Sequence, residues 1–425
     1  MEADREKLYH SVTLEQDKCK GCTACLKRCP TEAIRIRDGK AKIIKERCID
    51  CGECIKVCPY HAKKAVTDSF ARLEDFQYNI ALPAPALYGQ FHNLRDINVV
   101  LQGLLCIGFD DVFETAKATE PITDYTRKLL EEGLLQKPII NSACPAVVRL
   151  ITVRFPNLIP HILPIIAPVE AAAITARRMA AEKTGIDPSK IGVFFISPCA
   201  AKATTIHNPI GLATSPIDGV LSIAEVYMRL LPTLKNSESM KDISTASLEG
   251  INWARTGGEI KALQSGRCLS VDGIDNIIAL LEEIEDDETL DIDFIEALSC
   301  EGGCVSGPLT VENGYVAKMR VVEIGKAQRQ KNLPKTPLPL TQQELDWNTP
   351  VLYRDVLHLD KDFSVAMQKM EQIEAIYQTL PHTDCGSCGS PTCKCLAEDI
   401  VRGSAQETDC IHKMREQFSK LSKEK

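Results

Sequence analysis

Nineteen cysteines in 425 residues are the side chains most able to do chemistry in this chain, and they fall in groups. Cys19, Cys22, Cys25 and Cys29 follow a C-x2-C-x2-C-x3-C-P pattern, which Cys48, Cys51, Cys54 and Cys58 repeat. Three thiolates at that step hold three irons of one cubane, and the fourth, before proline, reaches the neighbouring cluster. The spacing therefore assigns Cys19, Cys22, Cys25 and Cys58 to one [4Fe–4S] cluster, and Cys48, Cys51, Cys54 and Cys29 to a second. Zinc sites use paired C-x2-C units instead. A third set, Cys385, Cys388, Cys393 and Cys410, is spaced C-x2-C-x4-C-x16-C among glycines and a proline. Iron–sulfur ligation and zinc both suit that set, and Cys395 is left over.

Four more cysteines stand directly after strand-like runs. Cys144 follows "KPIINSA", Cys199 follows "IGVFFISP", and Cys300 and Cys304 follow "FIEALS". Short apolar runs alternating with helical segments, such as "PVEAAAITARRMAAEKT" ending at Gly185, argue for α/β layers with parallel strands. In such sheets ligands gather beyond the carboxyl ends of the strands. Four thiolates converging there could hold a further cubane, the glycines between Cys300 and Cys304 admitting close backbone approach. Separate buried cysteines are the alternative. Cys106, Cys268 and Cys395 receive no ligand role.

The rest of the composition is that of an ordinary globular protein. A net charge of −8 gives no reason to expect nucleic acid or an anionic membrane as partner. No apolar run reaches the roughly 18 residues a membrane span requires. The charged opening "MEADREKLYH" is no secretory signal, so a cytoplasmic location is expected. The acidic run 282–293 reads as a solvated face. Four segments are expected: 1–74 around the first eight cysteines, 75–327 as the α/β part, 328–363 as a proline-rich linker, and 364–425 around the last cluster.

Residues 1–74 resemble a bacterial-type dicluster ferredoxin module. Residues 385–410 resemble the small [4Fe–4S] domain of corrinoid iron–sulfur proteins and electron-transport subunits. The middle segment, 75 to about 325, resembles the catalytic domain of [FeFe]-hydrogenases through "NSACPAVV", "SPCAAK" and "EALSCEGGCVSG". Two further stretches, "ALPAPALYGQF" and "NWARTGGEI", agree in order. The resemblance implies a fold of two α/β lobes with mostly parallel sheets, flanked by the α+β ferredoxin domain and the small C-terminal domain. It implies that Cys144, Cys199, Cys300 and Cys304 bind the cubane of an H-cluster, Cys304 bridging to a two-iron subsite with CO and CN⁻ ligands. Lys202 then matches the lysine that donates to a cyanide. Pro85 and Ala86 match residues packing on the subsite, and Trp253 stands where the family often has phenylalanine. Dedicated maturation proteins build the subsite, and a ferredoxin-type carrier supplies or takes electrons as H2 and protons interconvert.

The departures are as telling as the matches. Ala143 occupies the position of the family's proton-passing cysteine, and a methyl group has no proton to pass, whereas a thiol does. Ser197 and Leu298 stand where methionines are usual, and Val147 replaces a tryptophan. The resemblance therefore implies slow turnover in a sensory or regulatory member with a possible signalling partner. Ser197, Glu259 and Glu296 are the candidates for another proton route. A non-enzymatic iron–sulfur protein, resembling an assembly factor or an electron-transfer subunit, is the alternative.

Overall fold

The computed structural model describes residues 9–235, 241–264, 266–286, 291–330 and 337–423. The charged opening at 1–8 and the centre of the acidic run, 287–290, lie outside the described residues. The chain divides into two compact units, one of residues 1–65 with 354–425, the other of residues 66–353.

In the first unit the cysteine repeats alternate with short strands. β1 (Val12–Leu14) pairs antiparallel with β4 (Lys63–Ala65), and β2 (Ile34–Arg37) pairs antiparallel with β3 (Lys40–Ile43). Helices Phe363–Thr379, Cys393–Val401 and Ile411–Lys423 complete the unit. The two cysteine-rich termini, expected as separate domains at 1–74 and 364–425, are thus joined in one body. The joint is polar and buried. Asp399 accepts from Arg35 Nε at 2.6 Å and Arg37 Nη2 at 2.8 Å, with Arg35 and Asp399 under a tenth exposed. Arg47 pairs with Glu398, and Ile36 N–H donates to the Gly389 carbonyl at 2.8 Å. A Cβ at Gly389, whose φ is +77°, would lie 2.1 Å from the Ile36 oxygen, so only glycine permits this approach.

The second unit carries two parallel sheets. One runs β6 (Asp111–Val112), β5 (Tyr78–Pro83), β8 (Ile191–Ser197), β9 (Gly219–Ser222), all parallel. The other runs β10 (Cys268–Asp272), β11 (Phe294–Leu298), β7 (Ile139–Ile140), also parallel. β5 and β8 are buried almost end to end, as strands covered on both faces must be. One continuous apolar core joins both sheets to their helices. The helix Pro168–Thr184 begins with proline in its first turn and ends at Gly185 in the left-handed region, φ +71°. No described helix is long and apolar enough to cross a membrane.

The expected linker, 328–363, contains the boundary between the two units at 353/354, and its residues 331–336 lie outside the described residues. The helix Gly314–Gln330 runs into its start, and residues 337–353 belong to the second unit. There Leu345 is buried, Trp347 N–H donates to the Pro164 carbonyl at 3.0 Å, and Tyr125 donates to Asp346 at 2.7 Å. Leucines and a tryptophan spaced among the prolines fasten the segment down.

Candidate metal centre and its cavity

In the first unit, one cavity is lined by Cys19, Cys22, Cys25 and Cys58, and another by Cys29, Cys48, Cys51 and Cys54. The cross-over of the fourth cysteine follows from the chain path. Each C-P turn hands its cysteine to the opposite cavity, where the Ala33 N–H points at Cys29 Sγ and the Ala62 N–H at Cys58 Sγ, both at 3.2 Å. Burial pushes the thiol of Cys54 up to about 12 and those of Cys48 and Cys51 well above the usual range. Thiols in that state keep their protons until a metal displaces them. In the C-terminal part, Cys393 and Cys410 are buried with Cys388 against the same small apolar core, while Cys385 is exposed. Cys395 turns away from them and donates to Glu32 Oε2 at 2.9 Å; burial first, then the Glu32 charge, raises it to about 12.

The second unit brings its four cysteines together beyond the carboxyl ends of both sheets. Cys199 lies two residues past β8 and Cys300 two past β11, while Cys144, four past β7, caps the helix Pro145–Arg154 with Pro145 in its first turn. Cys144 Sγ lies 3.7 Å from Ser299 Oγ, which lies 3.9 Å from Cys300 Sγ. Cys144 and Cys304 are close enough to Cys199 for their charges to raise its thiol, which burial foremost lifts to about 11. Gly302 and Gly303 take φ of +80° and +97°, and a Cβ at Gly303 would strike the Arg255 Cα at 2.6 Å. The "GG" of the cysteine loop therefore lies flat on the "RTGG" segment.

A cavity of about 620 Å³ adjoins these cysteines, lined among others by Pro85, Ala86, Ala143, Lys202, Trp253 and Cys304. Lys202 stands in the first turn of the helix Ala200–His207 that Cys199 opens, with its ammonium 6.0 Å from the Phe195 ring centroid. Burial presses that ammonium downward, but the thiolates of Cys304, Cys199 and Cys144 and the Glu170 carboxylate outweigh it and hold Lys202 above the ordinary lysine range. Trp253 Nε1 is buried without a hydrogen-bond partner among the described residues, a costly state for a donor. Four soft thiols, an ammonium and an orphaned indole N–H suit an anionic iron–sulfur group bearing small acceptor ligands.

Glu259 and Glu296 line the same cavity. Asn141, fully buried, accepts from Ala297 N–H at 3.0 Å and donates to Glu259 Oε2 at 2.7 Å. Glu296 accepts from the backbone N–H groups of Gly257 at 3.1 Å and Ile260 at 3.3 Å. Burial, then the Glu296 charge, raises Glu259 to about 8; burial also raises Glu296, opposed by its backbone donors. Burial and mutual repulsion disfavour ionising both carboxyls at once, and the backbone N–H donors favour the anion on Glu296. Ser197 is a different case. Its hydroxyl donates to the Cys199 carbonyl at 3.1 Å and accepts from the Cys199 N–H at 3.0 Å, and it is not among the residues lining the cavity. That side chain braces the turn that carries Cys199.

Three residues escaped the sequence reading. Asn141 sits inside a quoted motif, but only its contacts mark it. Arg149, buried, donates to the Ala201 carbonyl at 3.1 Å and Thr205 Oγ1 at 3.0 Å, tying the Cys144 helix to the one carrying Lys202. Glu170, raised to about 7 by burial, lines a second cavity on which Lys202, Ala143 and Trp347 also open.

Comparison with known proteins adds the family context. The model of the iron-only hydrogenase large subunit, C-terminal domain, matches residues 77–265 and 225–308. A 4Fe-4S dicluster domain matches residues 12–62, and an Fe-S cluster family matches residues 380–412. The periplasmic [Fe] hydrogenase large subunit of Nitratidesulfovibrio vulgaris is 31% identical over 219 residues, 47% of this chain and 52% of that protein. The cytosolic Fe-S cluster assembly factor nar1 of Aspergillus flavus is 26% identical over 132 residues, 31% of this chain and 23% of that protein. This chain thus spans about half the length of the first relative and less of the second. A solved variant of the [FeFe]-hydrogenase HydA1 of Chlamydomonas reinhardtii is 16% identical, with a TM-score of 0.47, over 65% of this chain and 94% of that one.

Proposed function

Since the chain belongs to the iron-only hydrogenase large-subunit family, whose model covers more than half of it, we propose that it converts or senses dihydrogen at an H-cluster held by Cys144, Cys199, Cys300 and Cys304. The observation that supports this most is one cavity where Cys304 and Lys202 meet an unpartnered indole N–H and a carboxyl pair. When bound, the iron group supplies the redox chemistry that interconverts H2 with two protons and two electrons.

The chain's own residues do the rest. Pro85 and Ala86 wall the cavity and exclude water. Lys202 and Trp253 donate hydrogen bonds to acceptor ligands and fix their orientation. Ala143 closes the usual proton exit, since its methyl group can neither give nor take a proton. Protons then pass through Glu259, raised to about 8, with Glu296 beside it on the cavity wall. Such a site turns over slowly and fits a regulatory role, its clusters exchanging electrons with a ferredoxin-type carrier and its state read by a signalling partner.

The test is infrared spectroscopy of protein matured anaerobically by the accessory maturation proteins. Bands of CO and CN⁻ ligands are expected, with low hydrogen evolution. The likeness to nar1 favours a second reading, a non-enzymatic iron–sulfur protein. A sample with full iron content and no such bands would establish that reading and sink the first.

A further inference from the structure

The two cysteine repeats of the first unit are related by an internal symmetry, and that symmetry is broken at two buried positions. In "CPTEAI" (29–34) and "CPYHAK" (58–63), Ile34 and Lys63 are counterparts. Each opens a strand, β2 or β4, and each is only 2% exposed. In "CKGC" (19–22) and "CIDC" (48–51), the counterparts are Gly21 and Asp50. Asp50 is 1% exposed.

These exceptions sort by cavity. Lys63 and Gly21 line the cavity of Cys19, Cys22, Cys25 and Cys58, whereas Ile34 and Asp50 line that of Cys29, Cys48, Cys51 and Cys54. Lys63 Nζ makes no hydrogen bond among the described residues. An ammonium buried without a partner is expensive, and the thiolates are its compensation. Burial raises the thiol of Cys25 against the pull of the Lys63 charge, whereas at Cys58 burial is outweighed by backbone donors and then that charge, which lower it; in the other set, Cys54 and Cys29 feel the charge too. Asp50 accepts from His10 Nδ1 at 2.7 Å and from Val12 N–H at 3.0 Å. Its charge adds to burial in raising the thiols of Cys48 and Cys54. Backbone donation to sulfur acts in the same sense, since Cys29 and Cys58 receive matching 3.2 Å bonds while Cys19 Sγ also accepts from the Ala41 N–H at 3.4 Å.

Cluster potential depends on nearby charge, hydrogen bonds to sulfur and exposure, and the buried charged side chains lining the two cavities are of opposite sign. We propose that Lys63 and Asp50 grade the two sites, so that the cluster of Cys19, Cys22, Cys25 and Cys58 is reduced more easily than that of Cys29, Cys48, Cys51 and Cys54. Each reduction adds one electron from a one-electron carrier to one cubane, with no bond made and no proton moved. An added negative charge is stabilised beside the ammonium and opposed beside the carboxylate. The pair then has a built-in resting place for the electron. This inference rests on the reading that both cavities hold [4Fe–4S] clusters.

The experiment is an anaerobic redox titration of the full holoprotein followed by electron paramagnetic resonance, with iron content and spin quantitation. Lys63→Ile installs the symmetry partner's residue. It should lower the midpoint of the easier dicluster step so that the reduced-to-oxidised ratio at fixed potential falls at least tenfold, the equivalent of about 59 mV for one electron. Lys63→Arg should retain the wild-type value. Asp50→Asn, isosteric and able to keep the Val12 bond, should shift the harder step the opposite way. Full iron content with unmoved midpoints in Lys63→Ile overturns the proposal. If that variant loses iron, Asp50→Asn decides alone, and an unmoved midpoint there overturns it. A wild type whose spin count lacks the two clusters overturns the underlying reading instead.

Discussion

Replacing Glu259 with glutamine should flatten the pH dependence of the second unit's stability. Burial and the neighbouring Glu296 charge raise the Glu259 carboxyl from 4.5 to about 8. A raised acid is protonated in the folded state while the unfolded chain has already released its proton. The contribution is therefore fully present below about pH 4.5 and is lost as pH rises through about 8. Every tenfold difference in proton affinity between folded and unfolded states is worth about 1.4 kcal/mol. The interval from 4.5 to about 8 thus makes the loss about 5 kcal/mol at most. Glutamine is neutral throughout and can still accept the bond from Asn141. The variant should match the wild type near pH 5 and exceed it by several kcal/mol at pH 8.5, about the full linkage value. Both tryptophans of the chain, Trp253 and Trp347, lie in the second unit. Anaerobic urea titrations read by tryptophan fluorescence therefore report on that unit. Parallel wild-type and variant curves from pH 5 to 8.5 would refute the reasoning that Glu259 is held protonated.

Three further outcomes are expected. Ala143→Cys, after maturation, should raise hydrogen evolution about 100-fold, the usual worth of a positioned proton carrier; an unchanged rate would show that residue 143 does not limit turnover. Trp253→Phe removes the unpartnered Nε1 donor and should shift the infrared bands of the cyanide ligands while leaving iron content intact. Unmoved bands would mean that the indole points elsewhere. Asp399→Ala strands the buried Arg35 guanidinium and removes a partner from the half-buried Arg37 and should destabilise the first unit by about 3–5 kcal/mol, read as accelerated proteolysis of the C-terminal segment.

Much of this was legible because the chemistry is local. The triple-step cysteine repeats carry their ligand sets in their spacing, and strands such as "IGVFFIS" announce a parallel sheet by being apolar throughout. The cysteines beyond β7, β8 and β11 follow from where such sheets place ligands. Other features depend on contacts between distant residues. Nothing in "CGSCGS" says that Gly389 must lie against Ile36, at the far end of the chain, so the termini read as two domains where one body exists. The segment at 337–353 has the composition of a linker, and its anchoring leucines carry no period that would reveal it. Ser197 looked polar and available, but a hydroxyl two residues before a cysteine turn is used by the backbone first.

The same contrast couples Ala143 to Glu259. Taken alone, the alanine subtracts an acid from the cavity wall, and the simplest inference is a site unable to exchange protons. Glu259 adds one from the "TGG" segment, and Glu296 makes it a pair. A lone glutamate there would ionise or remain inert, depending on burial. The two carboxyls have unequal donors, an amide for Glu259 and backbone N–H groups for Glu296, which is what the proposed division into acid and base requires. Asn141 ties Glu259 to the segment after β7 that delivers Cys144 and to β11 through the Ala297 N–H. An Asn141→Leu variant should therefore disturb both Glu259 and Cys144. It should broaden the infrared bands of the iron ligands and lower turnover, whereas Glu259→Gln should lower turnover and leave the bands sharp.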